Sequence, residues 1–120
     1  MFLNLNHKNL TVYLKVRELT KEMYKVSNLL PTEERFNMVQ QIRRAALSVK
    51  LNLAEGATRK SAVERKRYYE VSRGSVVEID AALETAVDLE YFKKESLQQS
   101  GVLLNDCFAL LSKMIEPPGH

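Results

Sequence analysis

The chain holds one cysteine, three prolines, four glycines, two histidines and no tryptophan. The single Cys107 excludes an internal disulfide. The start, MFLNLNHKN, lacks the basic stretch and apolar core of a secretory signal, so a reducing, cytoplasmic location is expected. No apolar run approaches the ~20 residues that span a bilayer, and no membrane partner is expected. Few glycines and prolines over 120 residues leave little turn material, which favours long helices in one domain covering 1–120. His7 and His120 lie in the terminal tails, so the inward Glu-x-x-His pairs of a two-metal bundle site are missing and no metal or cofactor is expected. The glycines are isolated, which removes a phosphate-cradling loop, and no Ser-centred nucleophile elbow occurs. Glu78, Glu84 and Asp88 read as a solvated face, and Cys107 as a small hydrophobe without a His partner. These absences predict that the protein is not an enzyme.

What is present is helical periodicity. Over about 10–30, Val12, Val16, Leu19, Met23, Val26 and Leu30 recur every three or four positions, and Pro31 stops the pattern. The second segment, about 33–55, opens on Glu33 and Glu34, suited to a helix's positive end, and carries Val39, Ile42, Ala46, Val49 and Leu53 on one face. Gly56 is expected as its left-handed cap. The third, about 61–90, begins with the capping box Ser61-Ala-Val-Glu64 and gathers Tyr68, Val71, Ser72, Ser75, Val76, Ile79, Ala82, Leu83, Ala86 and Val87 in one arc. Gly74 lies outside that arc; because a mid-helix glycine costs about 1 kcal/mol against alanine, close packing or a bend is expected there. The fourth, about 95–116, has Leu97, Leu104, Cys107, Leu111 and Met114 near heptad spacing, widened by Leu103, Phe108, Leu110 and Ile115, with Pro117-Pro118-Gly119 as its stop. Short links favour antiparallel neighbours, so the expected fold is all-α, an antiparallel up-down-up-down four-helix bundle.

Two features exceed what a lone bundle needs. The second helix carries another apolar cluster, Phe36, Leu47, Leu51 and Ala54, pointing to a further contact, either a second subunit in a homo-oligomer or simply a wide stripe inside one bundle. Beside it runs the line Arg44, Ser48, Asn52, Glu55. Ser48, Asn52 and Glu55, with Ser75 and Glu78 of the third helix, read as a structural polar network that sets register, for instance through Arg73 or Ser75. The other reading of this line is a polar patch facing a ligand or pore.

Net charge is only +3 with a pI near 9.0, but its distribution is uneven. Ten basic residues against three acidic ones between Arg35 and Arg73 give +7, whereas Gly74–Glu90 holds five acids and no base, giving −5. Arg43, Arg44, Lys50, Arg59, Lys60, Arg65, Lys66, Arg67 and Arg73 are the candidate nucleic-acid-binding residues. Such clusters attract phosphates and release counterions, and the adjoining Tyr68 and Tyr69 have rings able to stack on bases. The competing reading is a solvated face, or pairing with the acidic stretch of another subunit.

The stretch from Leu30 to Glu84 resembles bacterial four-helix-bundle proteins encoded in intervening sequences of 23S ribosomal RNA genes. The resemblance rests on Leu30-Pro31, Glu34-Arg35-Phe36, Gln41-Ile42-Arg43-Arg44-Ala45-Ala46, Ser48, Asn52, Ala54-Glu55-Gly56, Ser61, Glu64, Tyr68, Gly74-Ser75 and Glu78. It implies a bundle that assembles into a cyclic, barrel-like homopentamer. The chain is also similar to the accessory variability proteins of diversity-generating retroelements, whose basic pentameric barrel engages nucleic acid and a reverse transcriptase. The resemblance thus implies three partners: further copies of the chain, RNA or DNA, and a nucleic-acid-processing protein. It carries over no catalytic residues.

Overall fold

Apolar residues recurring every three or four positions give each long segment one stripe to bury, and four such stripes meet in a single core. A computed structural model describes residues 1–116; His120 and the Pro117-Pro118-Gly119 stop lie outside the described residues. The four helices are α1 (Thr11–Ser27), α2 (Met38–Ala57), α3 (Ala62–Asp88) and α4 (Gln98–Ile115). One-turn 3-10 segments at Asn6–Asn9, Thr32–Glu34 and Lys94–Leu97 accompany them, and no strand occurs among the described residues.

Each helix packs on two neighbours: α1 on α2 and α4, α3 on α2 and α4. Cross-links run in opposite senses along each pair. Lys15 of α1 meets Asp106 of α4 while Glu22 accepts from Ser100, and Val49 of α2 accepts from Ser72 of α3 while Gly56 abuts Tyr68. The bundle is therefore antiparallel throughout. Leu19, Met23, Ile42, Leu53, Ile79 and Leu111 are fully buried at its centre, each contributing roughly 1.5–3 kcal/mol by leaving water. Cys107 sits among them, and burial pushes its thiol up to about 12, far from a thiolate at neutral pH.

Several boundaries differ from the sequence expectation, for local reasons. α1 stops at Ser27, and the N–H groups of Leu29 and Leu30 turn back to the carbonyls of Val26 and Ser27, which still buries Leu30 ahead of Pro31. α2 begins only at Met38, because Asn37 leaves helical geometry (φ −129°, ψ −92°). Glu33 and Glu34 therefore occupy a separate turn instead of the α2 start. There Glu34 accepts from the Tyr91 hydroxyl at 2.8 Å and from Asn37 Nδ2 at 3.3 Å, tying the α3–α4 connection to the α1–α2 connection. His7 is not loose in a tail: its turn folds onto α1, where it is buried edge-on against Tyr13 at 5.0 Å.

The glycines depart from expectation too. Gly56 stays inside α2, which continues to Ala57 and ends at a right-handed Thr58, so it is no left-handed cap. Its missing side chain serves packing: a Cβ there would stand 2.6 Å from Tyr68 Cβ and 3.1 Å from Tyr69 Cε1. Gly74 meets nothing within 4 Å, and α3 runs through it unbroken, so close packing does not explain it. The left-handed residue is Glu90 (φ 66°), which ends α3 with Tyr91 N–H donating to the Ala86 carbonyl. In α3 the buried arc takes in Tyr69, and Val71 is exposed; in α4, Phe108 is exposed where the stripe was expected to continue.

Urea denaturation midpoints will separate these glycine roles. Gly56→Ala should cost about 1–3 kcal/mol through forced contact with Tyr68, whereas Gly74→Ala should stabilise by about 1 kcal/mol. Glu90→Gly should raise the midpoint, since left-handed backbone costs a side-chain-bearing residue about 1 kcal/mol. An unchanged midpoint for any of the three contradicts its assignment.

Candidate nucleic-acid interface

The α2–α3 turn is built before it is charged. At the end of α2, the Thr58 N–H and hydroxyl both donate to the Glu55 carbonyl, and Arg59 N–H donates to Gly56. The Ser61 hydroxyl accepts from Glu64 N–H at 3.0 Å, capping α3, but among the described residues the Glu64 carboxylate returns no bond, so half the capping box forms. Arg65 reaches back from the first turn of α3 and donates to the carbonyls of Arg59 (2.9 Å) and Lys60 (2.8 Å). That side chain closes the turn.

Arg59 is held as firmly. Its guanidinium pairs with Glu55 at 2.6 Å, donates to the Tyr68 hydroxyl at 3.1 Å and lies over the Tyr68 ring at 5.0 Å. Tyr68 foremost, and then Glu55, hold it above the usual arginine value against the opposing effect of burial. Arg59 Nε is buried without a partner among the described residues.

The nine candidate cations fall into different places. Lys60, Lys66 and Arg67 are exposed around the turn and have no ion-pair partner among the described residues. Arg44 is exposed on the outer face of α2, about three turns before Glu55. Arg43 staples α2 to α1: Nε donates to Ser27 Oγ at 2.8 Å, a terminal nitrogen donates to Asn28 Oδ1, and the group lies 5.2 Å over Tyr24. Lys50, two turns on from Arg43 on the same side, is half-buried. Arg73 staples α3 to α4, donating to Ser112 Oγ at 3.0 Å and covering exposed Phe108 at 5.5 Å. Lys113 was missed by the sequence reading; it is exposed beside Ser112, and only the α3–α4 register brings it level with Arg73.

The polar line divides in the same way. Ser75 Oγ donates to Ser48 Oγ at 2.8 Å, and Asn52 Nδ2 donates to the Ser48 hydroxyl at 3.1 Å and its carbonyl at 2.9 Å. Fully buried Ser72, read only as part of the apolar arc, adds a 2.7 Å bond to the Val49 carbonyl. Glu55 turns instead to Arg59, and Glu78 is exposed with no hydrogen bond among the described residues. Outside this seam, Phe36, Leu47 and Leu51 stay exposed at 75%, 38% and 59%, and Ala54 is half-buried. Among the described residues no helix is long and apolar enough to cross a membrane, and no His, Cys, Asp and Glu cluster is arranged to hold a metal.

Among solved structures, the chain is similar to a protein of unknown function from the S23 ribosomal protein family of Bacteroides thetaiotaomicron. The TM-score is 0.81 at 21% identity, covering 88% of this chain and 99% of that one. At that identity the likeness speaks for the fold alone. No curated protein matches. The model of the family described as 23S rRNA-intervening sequence protein matches residues 8–114, which takes in α1, α2, α3, the turn between α2 and α3, and all of α4 but its last residue. With that match over nearly its whole length, this chain belongs to the 23S rRNA-intervening sequence protein family.

Proposed function

We propose that the protein is a non-enzymatic, cytoplasmic, oligomeric bundle that binds RNA or DNA through the basic α2–α3 end. The observation that carries this reading is the contrast within the turn. Arg59 and Arg65 are spent on shaping it, while Lys60, Lys66 and Arg67 stand exposed, without an ion-pair partner among the described residues, on the frame that results. A fixed backbone leaves only side-chain freedom to be lost on meeting phosphate, and each neutralised phosphate releases counterions. Exposed Leu47 and Leu51 supply a face for further copies, in keeping with a cyclic homopentamer that would multiply the basic turns. A nucleic-acid-processing protein is the natural third party. A second reading, a scaffold without nucleic acid, draws on the acidic far half of α3, whose Asp80, Glu84 and Asp88 offer charges for another subunit's basic turn.

Fluorescence anisotropy with a labelled single-stranded RNA across a salt series tests the first reading. Log affinity should fall linearly with log salt, by roughly 0.7 per phosphate engaged. Replacing Lys60, Lys66 and Arg67 together by Ala should flatten that slope and leave helix content intact; absence of binding at low salt would favour the scaffold. Arg65→Ala should instead lower stability by about 1–2 kcal/mol, because two charge-assisted bonds to backbone carbonyls vanish. Light scattering should give five copies, and a monomer at high micromolar concentration would remove the oligomeric part.

A further inference from the structure

At the end of the bundle away from the basic turn, α3 and α4 part to leave an open groove of about 660 Å³. Its floor is apolar: Leu83 and Leu104 are buried in the core edge, and Val87 and Leu97 are half-buried above them. Its α3 rim is a row of carboxylates, Asp80, Glu84 and Asp88, spaced four residues apart and so about 6 Å apart along the helix. Glu95 adds a fourth from the α3–α4 connection, and Lys94 is the one cation in the lining. None of these four carboxylates has an ion-pair partner among the described residues. Gly101 keeps the α4 wall open, for a Cβ there meets nothing within 4 Å.

We infer that this groove docks a cationic amphipathic helix of a partner protein, with apolar side chains on the floor and Lys or Arg along the acidic rim. The fit is one of register as well as charge. A helix lying along the groove repeats its basic side chains every four residues at the same ~6 Å step as Asp80, Glu84 and Asp88. Its apolar residues at i, i+3 and i+7 then face Leu83, Leu97 and Leu104, the helix-in-groove mode of recognition. A second copy of this chain fits less well. Its basic turn offers Lys60, Lys66 and Arg67 with Val63 as the exposed apolar side chain among them, while the apolar stripe of its α3 is already buried in its own bundle. The groove is independent of the nucleic-acid reading, which concerns the opposite end of α3.

The test uses the full chain and a fluorescein-labelled peptide of about 15 leucines and lysines in helical amphipathic order, long enough to hold a helix once bound. Its scrambled isomer has the same charge. The ordered peptide should bind at least tenfold more tightly than the scrambled one by anisotropy. Gly101→Leu, which fills the groove from a helix position where leucine is the better helix former, should weaken ordered-peptide binding at least tenfold with an undiminished melting temperature. Glu84→Lys, an exposed change, should do the same with unchanged circular dichroism. Equal binding of the two peptides, or full affinity in Gly101→Leu, would overturn the proposal by reducing it to charge attraction. Peptide-independent self-association that Glu84→Lys abolishes would overturn it in favour of a second copy, and binding of spermidine without the ordered peptide would overturn it in favour of small cations.

Discussion

The approach of α2 to α3 at Gly56 governs the rest of the molecule. With only hydrogen at that position, the backbone of α2 lies against Tyr68 and Tyr69 at a distance no side chain permits, and Ser48, Val49, Ser72 and Ser75 fall into hydrogen-bonding register further along. A buried hydroxyl without a partner costs more than a made bond gains, so the Ser72 bond punishes slippage more than it adds stability. The seam therefore fixes register as well as proximity. Because α2 and α3 are joined by only a few residues, their register also fixes the turn, and the turn fixes where its cations stand.

Within that turn, charge and structure are separate properties of one residue type. Arg59 and Arg65 have their guanidinium donors directed at Glu55, Tyr68 and two backbone carbonyls, where the planar fork of arginine suits several acceptors at once. Among the described residues, Lys60, Lys66 and Arg67 make no side-chain hydrogen bond or ion pair, and their charges stay exposed. The same division recurs between helices, where Arg43 and Arg73 lie over Tyr24 and Phe108 while donating to serines. Counting basic residues therefore overstates the charge free to meet a phosphate, and α3 keeps its polarity through the exposed ones: cations near its start, Glu78, Asp80, Glu84 and Asp88 towards its end.

Much of the fold was legible because periodicity is local. The spacing of Val12 to Val26 or of Leu104 to Leu111 identifies a buried stripe regardless of what covers it, and Ser61 caps α3 as its position three residues before Glu64 suggested. The α2 start was misjudged because Glu33 and Glu34 are good first-turn residues in isolation; their actual setting depends on Tyr91, distant in sequence. Gly56 was misread for a similar reason. A glycine near a helix end usually marks a left-handed cap, and only a packed neighbour reveals that the demand is steric.

By itself, the sequence determined four amphipathic helices, their antiparallel order and a charge gradient along the third, since each depends on residues within a few turns of one another. Tertiary structure decided which arginines are staples and which cations are free, that Tyr69 and not Tyr68 is buried, and that a groove opens beside Gly101. Those outcomes depend on where a neighbouring helix places its acceptors and its bulk, and spacing along one chain segment carries no information about that.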